Sequence, residues 1–314
     1  MIHHLLPEEN GIRPCHHVLP KELSRTQTLV AEIEHIHQHL VAAASLEPGP
    51  HVNLIFTKLV QMCITVHDHS TVTAVLRHPT IQGIMPSLRR LCSEGEYLLE
   101  RHWAEELVYL ARHDRQLCNI KQGTETDHGS VVQDILSSFV YYDNYQGLTR
   151  LELNALKGVG ARLSHITFVG SGPLPMSSFL MALQSDDIKR IDNIDKSKEA
   201  IVISSQLSDA LGLQDKLRYF EQEADSYLGY SEADVIVLGA LVGNDGTEKT
   251  SFLCHVVSQM KSGAVVLVRS AHSLRKILYP SIEASQLSIC GLEPLIELHP
   301  HNDIVNSVLI ARRI

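Results

Sequence analysis

Residues 168–175 read FVGSGPLP. The stretch follows a β-rich run, His165-Ile166-Thr167, and precedes MSSFLMAL, an apolar segment of helical character. Strand, glycine turn and helix in this order form a nucleotide-binding unit. Gly170 and Gly172, with Ser171 between them, would let a ligand approach the backbone where a side chain would block it. A dinucleotide fingerprint would continue with a third glycine, but Pro175 stands in its place and Pro173 precedes it. That departure weakens an NAD reading. It leaves S-adenosylmethionine, which has no pyrophosphate to cradle.

Downstream, short apolar strands alternate with amphipathic helices. SHITFVG, IKRIDNID, KLRYFEQEA, ADVIVLGALV and GAVVLVRSA read as five strands, with helices near 174–184, 196–212 and 247–261. LEPLIELHP and DIVNSVLIARR add two more, the last expected to run antiparallel. The alternation predicts an α/β fold with a mostly parallel, Rossmann-like sheet and its ligand at the carboxyl ends of the strands. Asp192 and Asp195 close the second strand, where a carboxylate can accept from ribose hydroxyls. Asp225 follows the third, placed for an exocyclic adenine amine, and Ala240, Leu241 and Val242 follow the fourth. A glycine pair with acids after strands two and three points to adenosine.

Residues 22–118 carry helical spacing instead. Leu29, Ile33, Ile36 and Leu40 recur at intervals of three and four. PGP at 48–50 breaks the pattern, and IMPSLRRLCSEGEYLLERHWAEELVYLARH resumes it as a long amphipathic helix. The division expected is a helical domain over 1–150 covering the active site and a nucleoside-binding domain over 151–314.

The chain has 314 residues and a formal net charge of −9, with no dense Lys/Arg cluster, which argues against a nucleic-acid surface. No cationic flank leads an apolar run at the N-terminus, and no window reaches the ~18 apolar residues a membrane helix needs. The six cysteines are scattered without a CxxC pair, so reduced thiols and a cytoplasmic location are expected. The apolar N-terminal helices could support a homodimer.

FVGSGPLPMSS, LGALVGNDGTEK, GAVVLVRSAHSLRKILYP and HPHNDIVNSVLIAR, with HVNLIFTKLVQMCI, LRRLCSEGEYLLERHW and YYDNYQGLTRLEL from the first half, together resemble the nicotianamine synthase family in matching order. The segment 67–83 looks like an insertion relative to plant members. The resemblance implies a class I methyltransferase-type sheet put to a different transfer. The family moves the 3-amino-3-carboxypropyl arm of S-adenosylmethionine onto an amine, releases 5′-methylthioadenosine, and closes an azetidine ring in a metal-chelating product. It implies small-molecule partners, S-adenosylmethionine and amino-acid intermediates, and no metal for catalysis.

This chemistry needs an amine held in line with the γ-carbon of the sulfonium, and a base to deprotonate it. Glu96 and Glu100 in SEGEYLLE stand at i and i+4 and share a helix face. By pattern alone such a pair is a solvated face. The resemblance makes this helix the lining of a reaction chamber, with Glu100 as base and Glu96 as the carboxylate that orients the ammonium. YYDNYQGL resembles the chamber's border, where Tyr141 or Tyr142 could meet a sulfonium through cation–π contact. Asn144 and Tyr145 are weaker candidates there. Arg269 and His272 follow the fifth strand, where a guanidinium could clamp a substrate carboxylate, and Asn244 shares that rim. An ion pair with an acid of the opposing domain would equally explain Arg269.

The nineteen histidines show no second cluster at ligand spacing, so no metal site is expected. Three functions remain open at this stage. They are iterative arm transfer, a shorter reaction (azetidine-2-carboxylate from one S-adenosylmethionine, or a single transfer making an opine-type metallophore precursor), and a catalytically idle binding protein.

Overall fold

A computed structural model describes residues 24–114, 128–243 and 245–314. Its first part is helical: α1 (Arg25–Ala42), α2 (Pro50–Ile64), α3 (His69–Arg77), α4 (Pro79–His113), α5 (His128–Leu136) and α6 (Tyr142–Gly158). A capping box of Ser24 and Gln27 starts α1, and Leu29, Ile33, Ile36 and Leu40 are buried as their spacing predicts. Pro50 opens α2, where its missing N–H costs nothing. Segment 67–83 contains α3, whose N-cap Asp68 accepts from Thr71 N at 2.9 Å.

The second part alternates β1 (His165–Val169), α7 (Met176–Gln184), β2 (Arg190–Asp195), α8 (Lys198–Leu211), β3 (Leu217–Glu221), β4 (Val235–Leu238), α9 (Gly246–Gln259), β5 (Val265–Ser270), α10 (Ala284–Ile289), β6 (Leu292–Leu298) and β7 (Ser307–Arg313). The strands form one sheet in the order β3-β2-β1-β4-β5-β7-β6, with β7 antiparallel to both neighbours. This is the class I methyltransferase arrangement. The strand order reverses between β1 and β4, and a crevice opens there at the carboxyl ends.

Among the described residues, three apolar cores hold the parts together. One, with Phe179, Leu180 and Ile191, packs α6 and α7 against one face of the sheet. A second, with Leu253, Val256 and Leu309, packs α9 on the other. The third lies among α1 to α4 and includes Leu274, Ile277 and Leu278, which follow β5. The helix α4 serves two cores. Leu88 and Leu91 face the helical one, while Ala104, Leu107 and Val108 face the sheet. Gly95 lets α4 close on α2, since a Cβ there would lie 2.4 Å from the Phe56 ring. Running through residue 150, α6 buries Leu153 and Leu156 in the core of the sheet.

The expectation of reduced cysteines fails at one pair. Cys254 on α9 and Cys290 after α10 form a disulfide across 36 residues of sequence, with Cα atoms 4.5 Å apart. Spacing gave no sign of it, because helix packing brings the two together. Cys63 and Cys92 are free and buried, while Cys15 and Cys118 lie outside the described residues. Among the described residues, no helix is long and apolar enough to cross a membrane.

Candidate active site

A cavity of about 480 Å³ lies at the carboxyl ends of β1, β2, β4 and β5 and is roofed by α4. One end is formed by loops. Gly170 and Gly172 have φ of +72° and +66°, the left-handed region that glycine enters without strain. Asp195, at the end of β2, accepts from Gly172 N and Ser197 N, both at 2.9 Å, and so ties the glycine turn to the cap of α8. Asp225, Ala240, Leu241 and Val242 complete this end, and Ser171 places there a buried hydroxyl with no hydrogen-bond partner among the described residues. Pro173 is absent from the lining, whereas Leu174 and Pro175 belong to it.

Beneath Gly239 and Ala240, the fully buried Lys249 donates from Nζ to the carbonyls of Gly239, Ala240 and Arg269 at 2.9–3.0 Å. It pins the ends of β4 and β5 together. Burial and the neighbouring Arg269 push its pKa down to about 7, while the three carbonyls are matched only by the ammonium form.

The other end is lined from α4. Ser93, Glu96, Tyr97 and Glu100 recur at intervals of three and four, which sets all four on the face toward the sheet. Tyr97 donates to Glu199 at 2.8 Å and lies 2.9 Å from Ser197 Oγ, so the roof is fastened to the start of α8. Each glutamate is held by a tyrosine. Tyr279 donates to Glu96 Oε2 and Tyr145 to Glu100 Oε1, both at 2.8 Å. Burial raises the pKa of Glu96, against the Tyr279 hydrogen bond and the charge of Arg269. Burial, then the charge of Glu96, raises that of Glu100 well above the ordinary carboxylate value, with Tyr145 pulling the other way.

Arg269 also lines this end, but Nε and Nη2 form a two-pronged pair with Glu152 at 2.7 and 2.9 Å, and Nη2 reaches Ser177 Oγ at 2.6 Å. Its guanidinium carbon stands 5.1 Å from the centre of the Phe168 ring. A substrate carboxylate therefore does not find the two-pronged clamp that the sequence suggested. The acid on α6 already holds it.

Four other expectations need correction. Asp192 is buried away from the cavity, where it accepts from His165, Arg190 and Tyr227 at 2.6–2.9 Å. Burial would raise its pKa, but these hydrogen bonds outweigh it and hold the value near 2. Tyr142 packs in the core with its hydroxyl accepting from Gln146, and Tyr141 is 38 % exposed; neither lines the cavity. Asn144 donates to the Asp303 carbonyl, also outside it. His272 belongs to a separate hollow, where its Nδ1 pairs with Ser307 Oγ at 2.9 Å. Asn244 lies outside the described residues.

The glycine turn and the paired carboxylates thus face each other across one crevice. A model described as nicotianamine synthase protein matches residues 22–314. The chain belongs to the nicotianamine synthase family. It is 34% identical to probable nicotianamine synthase 2 of Hordeum vulgare over 290 residues, covering 91% of this chain and 80% of that one. Nicotianamine synthase 1 of Oryza sativa subsp. indica is 33% identical over 291 residues, covering 91% and 81%. Among solved structures, MtNAS in complex with MTA and tNA aligns with a TM-score of 0.70 at 15% identity, over 92% of this chain and 97% of that one. A glutamate-to-glutamine mutant of MtNAS in complex with S-adenosylmethionine aligns at 0.70 and 16% identity, over 90% and 97%. At such identity these structures speak for the fold.

Within this nicotianamine synthase frame, Tyr145 was a weaker candidate in the sequence, and several other groups in or beside the cavity escaped it. Tyr145 is the tyrosine of YYDNY that reaches the cavity. Tyr142, three residues earlier on α6, packs in the core instead. Ser177 and Asn306 line the cavity, and Tyr279 and Glu152 hold its residues from behind; all four lie within the stretches that carry the resemblance, but nothing in the sequence singled them out, and only tertiary contact gives their roles.

Proposed function

We propose that the protein transfers 3-amino-3-carboxypropyl groups from S-adenosylmethionine to an amine, repeatedly, and forms an azetidine-containing product. The observation that carries this reading is the pair Glu96 and Glu100. Both face the glycine turn across the cavity, and burial raises the pKa of each. Family membership makes the chain a transferase.

The adenosine would rest over Gly170, Gly172 and Ala240–Val242, with Asp195 and Asp225 as acceptors for its hydroxyls and amine. The arm then points toward α4. An acceptor ammonium beside the glutamates passes a proton to Glu100, whose raised pKa suits it to take one near neutral pH. The freed amine attacks the γ-carbon. A nitrogen–carbon bond forms, the carbon–sulfur bond breaks, and sulfur keeps the electron pair in neutral 5′-methylthioadenosine. Glu96, held by Tyr279, keeps the incoming ammonium in line.

The cavity continues past the glycine turn to Ser177, Arg269 and Asn306. That extra room supports transfer to a separate acceptor over cyclisation of a single donor. Incubation with S-adenosylmethionine alone, followed by mass spectrometry, is the test. Methylthioadenosine with nicotianamine is expected. Free azetidine-2-carboxylate as the sole other product would replace this reading with the intramolecular one. S-adenosylhomocysteine with a methylated acceptor would overturn both.

A further inference from the structure

Lys249 stands where a cation is disfavoured twice over. It lies in the first turn of α9, at the positive end of the helix dipole. It is also fully buried, beside the like charge of Arg269. A folded protein keeps an ammonium in such a place when it is committed to several acceptors. The carbonyls of Gly239, Ala240 and Arg269 take all three of its protons, at 2.9–3.0 Å.

Those contacts fix the orientation of two peptide units. The carbonyl of Gly239 shares a plane with the N–H of Ala240, and that of Ala240 with the N–H of Leu241. In each trans unit the N–H points opposite to the carbonyl. Both carbonyls turn down to the ammonium, so both N–H groups turn up, to the side on which Ala240 and Leu241 line the cavity. Neither N–H has a hydrogen-bond partner among the described residues. Successive N–H groups facing one side make a concave seat for an acceptor atom.

The surrounding packing leaves this loop little room to turn otherwise. Gly239 N donates to the Val169 carbonyl at 3.0 Å, and a Cβ on Gly239 would lie 3.1 Å from the carbonyl oxygens of Val169 and Gly170. Val242 rests on the glycine turn, since a Cβ on Gly170 would lie 2.7 Å from Val242 Cγ2. Gly243, at φ +80°, meets α9 so closely that a Cβ would lie 2.8 Å from Lys249 N. The β4 loop is thus held between the glycine turn and the helix that carries the lysine.

We propose that Lys249 is a positioning residue for the nucleoside: its ammonium turns the N–H groups of Ala240 and Leu241 into the cavity, where they donate to ring nitrogens or ribose oxygens of S-adenosylmethionine. This deepens the transfer reading above and rests on its placement of the adenosine. The two N–H groups meet only the part of the molecule that S-adenosylmethionine and methylthioadenosine share. Lys249 therefore serves the cationic donor and the neutral by-product alike, which a charge acting through space would not do.

The first measurement needs no variant. Wild-type protein, isotopically labelled at alanine and leucine nitrogen, is titrated with methylthioadenosine, and the amide protons of Ala240 and Leu241 should move downfield as they gain an acceptor. Binding that leaves both resonances unmoved overturns the inference. Calorimetry then compares Lys249→Met, which keeps an unbranched side chain and removes the ammonium. Loss of two well-oriented hydrogen bonds should weaken methylthioadenosine about tenfold or more. S-adenosylmethionine should weaken by the same factor, and the downfield shifts should be lost. Wild-type affinity in the variant overturns the inference. So does a variant that loses methylthioadenosine but binds S-adenosylmethionine more tightly, because the lysine would then act by charge. Should Lys249→Met fail to fold, the wild-type resonances decide. A wild type that binds neither ligand sinks the adenosine placement and this inference with it, whereas binding without the shifts sinks this inference alone.

Discussion

The carboxylate of Glu100 occupies the space that a side chain on Gly172 would need: a Cβ there would lie 2.7 Å from Glu100 Oε2. The helical half and the nucleoside loop therefore meet at one point. Glu100 is held in place by Tyr145, so it cannot withdraw without losing that hydrogen bond. Gly172→Ala should keep the fold, at a cost of about 1–2 kcal/mol for a side chain at positive φ. Displacing the carboxylate should lower methylthioadenosine release by about 10²-fold, because misplacement on the order of 1 Å has that effect. Melting curves beside turnover rates would show whether activity falls far more than stability.

Removing the base without changing its shape separates binding from chemistry. Glu100→Gln should lower turnover by about 10²–10⁴-fold while calorimetry still detects S-adenosylmethionine. Turnover close to wild type would take Glu100 out of the base role.

The pH dependence has a definite sign. Burial raises the pKa of Glu100, so the acidic limb of kcat/KM should fall above the ordinary glutamate value of about 4.3. Tyr145 stabilises the ionised form through its hydrogen bond, and Tyr145→Phe should move that limb to still higher pH. Stability follows the same linkage. The folded state holds this proton more tightly than the unfolded chain, so the group favours folding in acid, and that contribution is lost as pH rises through the folded-state value. Glu100→Gln should therefore raise Tm at pH 8, and the gain should vanish at pH 4.

The Glu152–Arg269 pair is fully desolvated on the acid's side. Glu152→Ala leaves a buried guanidinium uncompensated and should cost about 3–5 kcal/mol, measured by urea unfolding. Arg269→Lys should not rescue function, because an ammonium cannot make the same planar two-pronged contact.

Cys254–Cys290 closes a loop of 36 residues on the α9 side of the sheet. Chain-entropy reasoning assigns such a link about 4 kcal/mol of stability. Cys254→Ser and reductant should lower Tm by similar amounts, and reductant should then have no further effect on the variant.

The architecture was legible because periodicity records burial directly. Alternating apolar runs near 165–169, 190–195 and 235–238 became β1, β2 and β4, and the three- and four-residue spacing of Leu29 to Leu40 became the buried face of α1. The glycine turn was legible because local backbone geometry is set by near neighbours; helix phase put Glu96 and Glu100 on one face, but pattern alone read that face as solvated, and the family resemblance turned it toward the chamber. The tyrosine stretch was harder. Three tyrosines within five residues offer three directions, and which of them meets the cavity depends on the angle at which α6 packs on the sheet. Asp192 was misplaced because a carboxylate on a strand can face a ligand or an internal cluster. His165 and Tyr227, distant in sequence, decided for the cluster.

The sequence by itself determined the sheet, the glycine turn and the helix that carries Glu96 and Glu100. The tertiary structure alone decided the partners: Tyr145 and Tyr279 for the glutamates, Glu152 for Arg269, Cys254 for Cys290, and the unpaired amide of Asn306. Local order follows from chain geometry over a few residues. Charge, hydrogen-bond satisfaction and redox pairing depend on which distant segments the packed core brings within about 3 Å of one another.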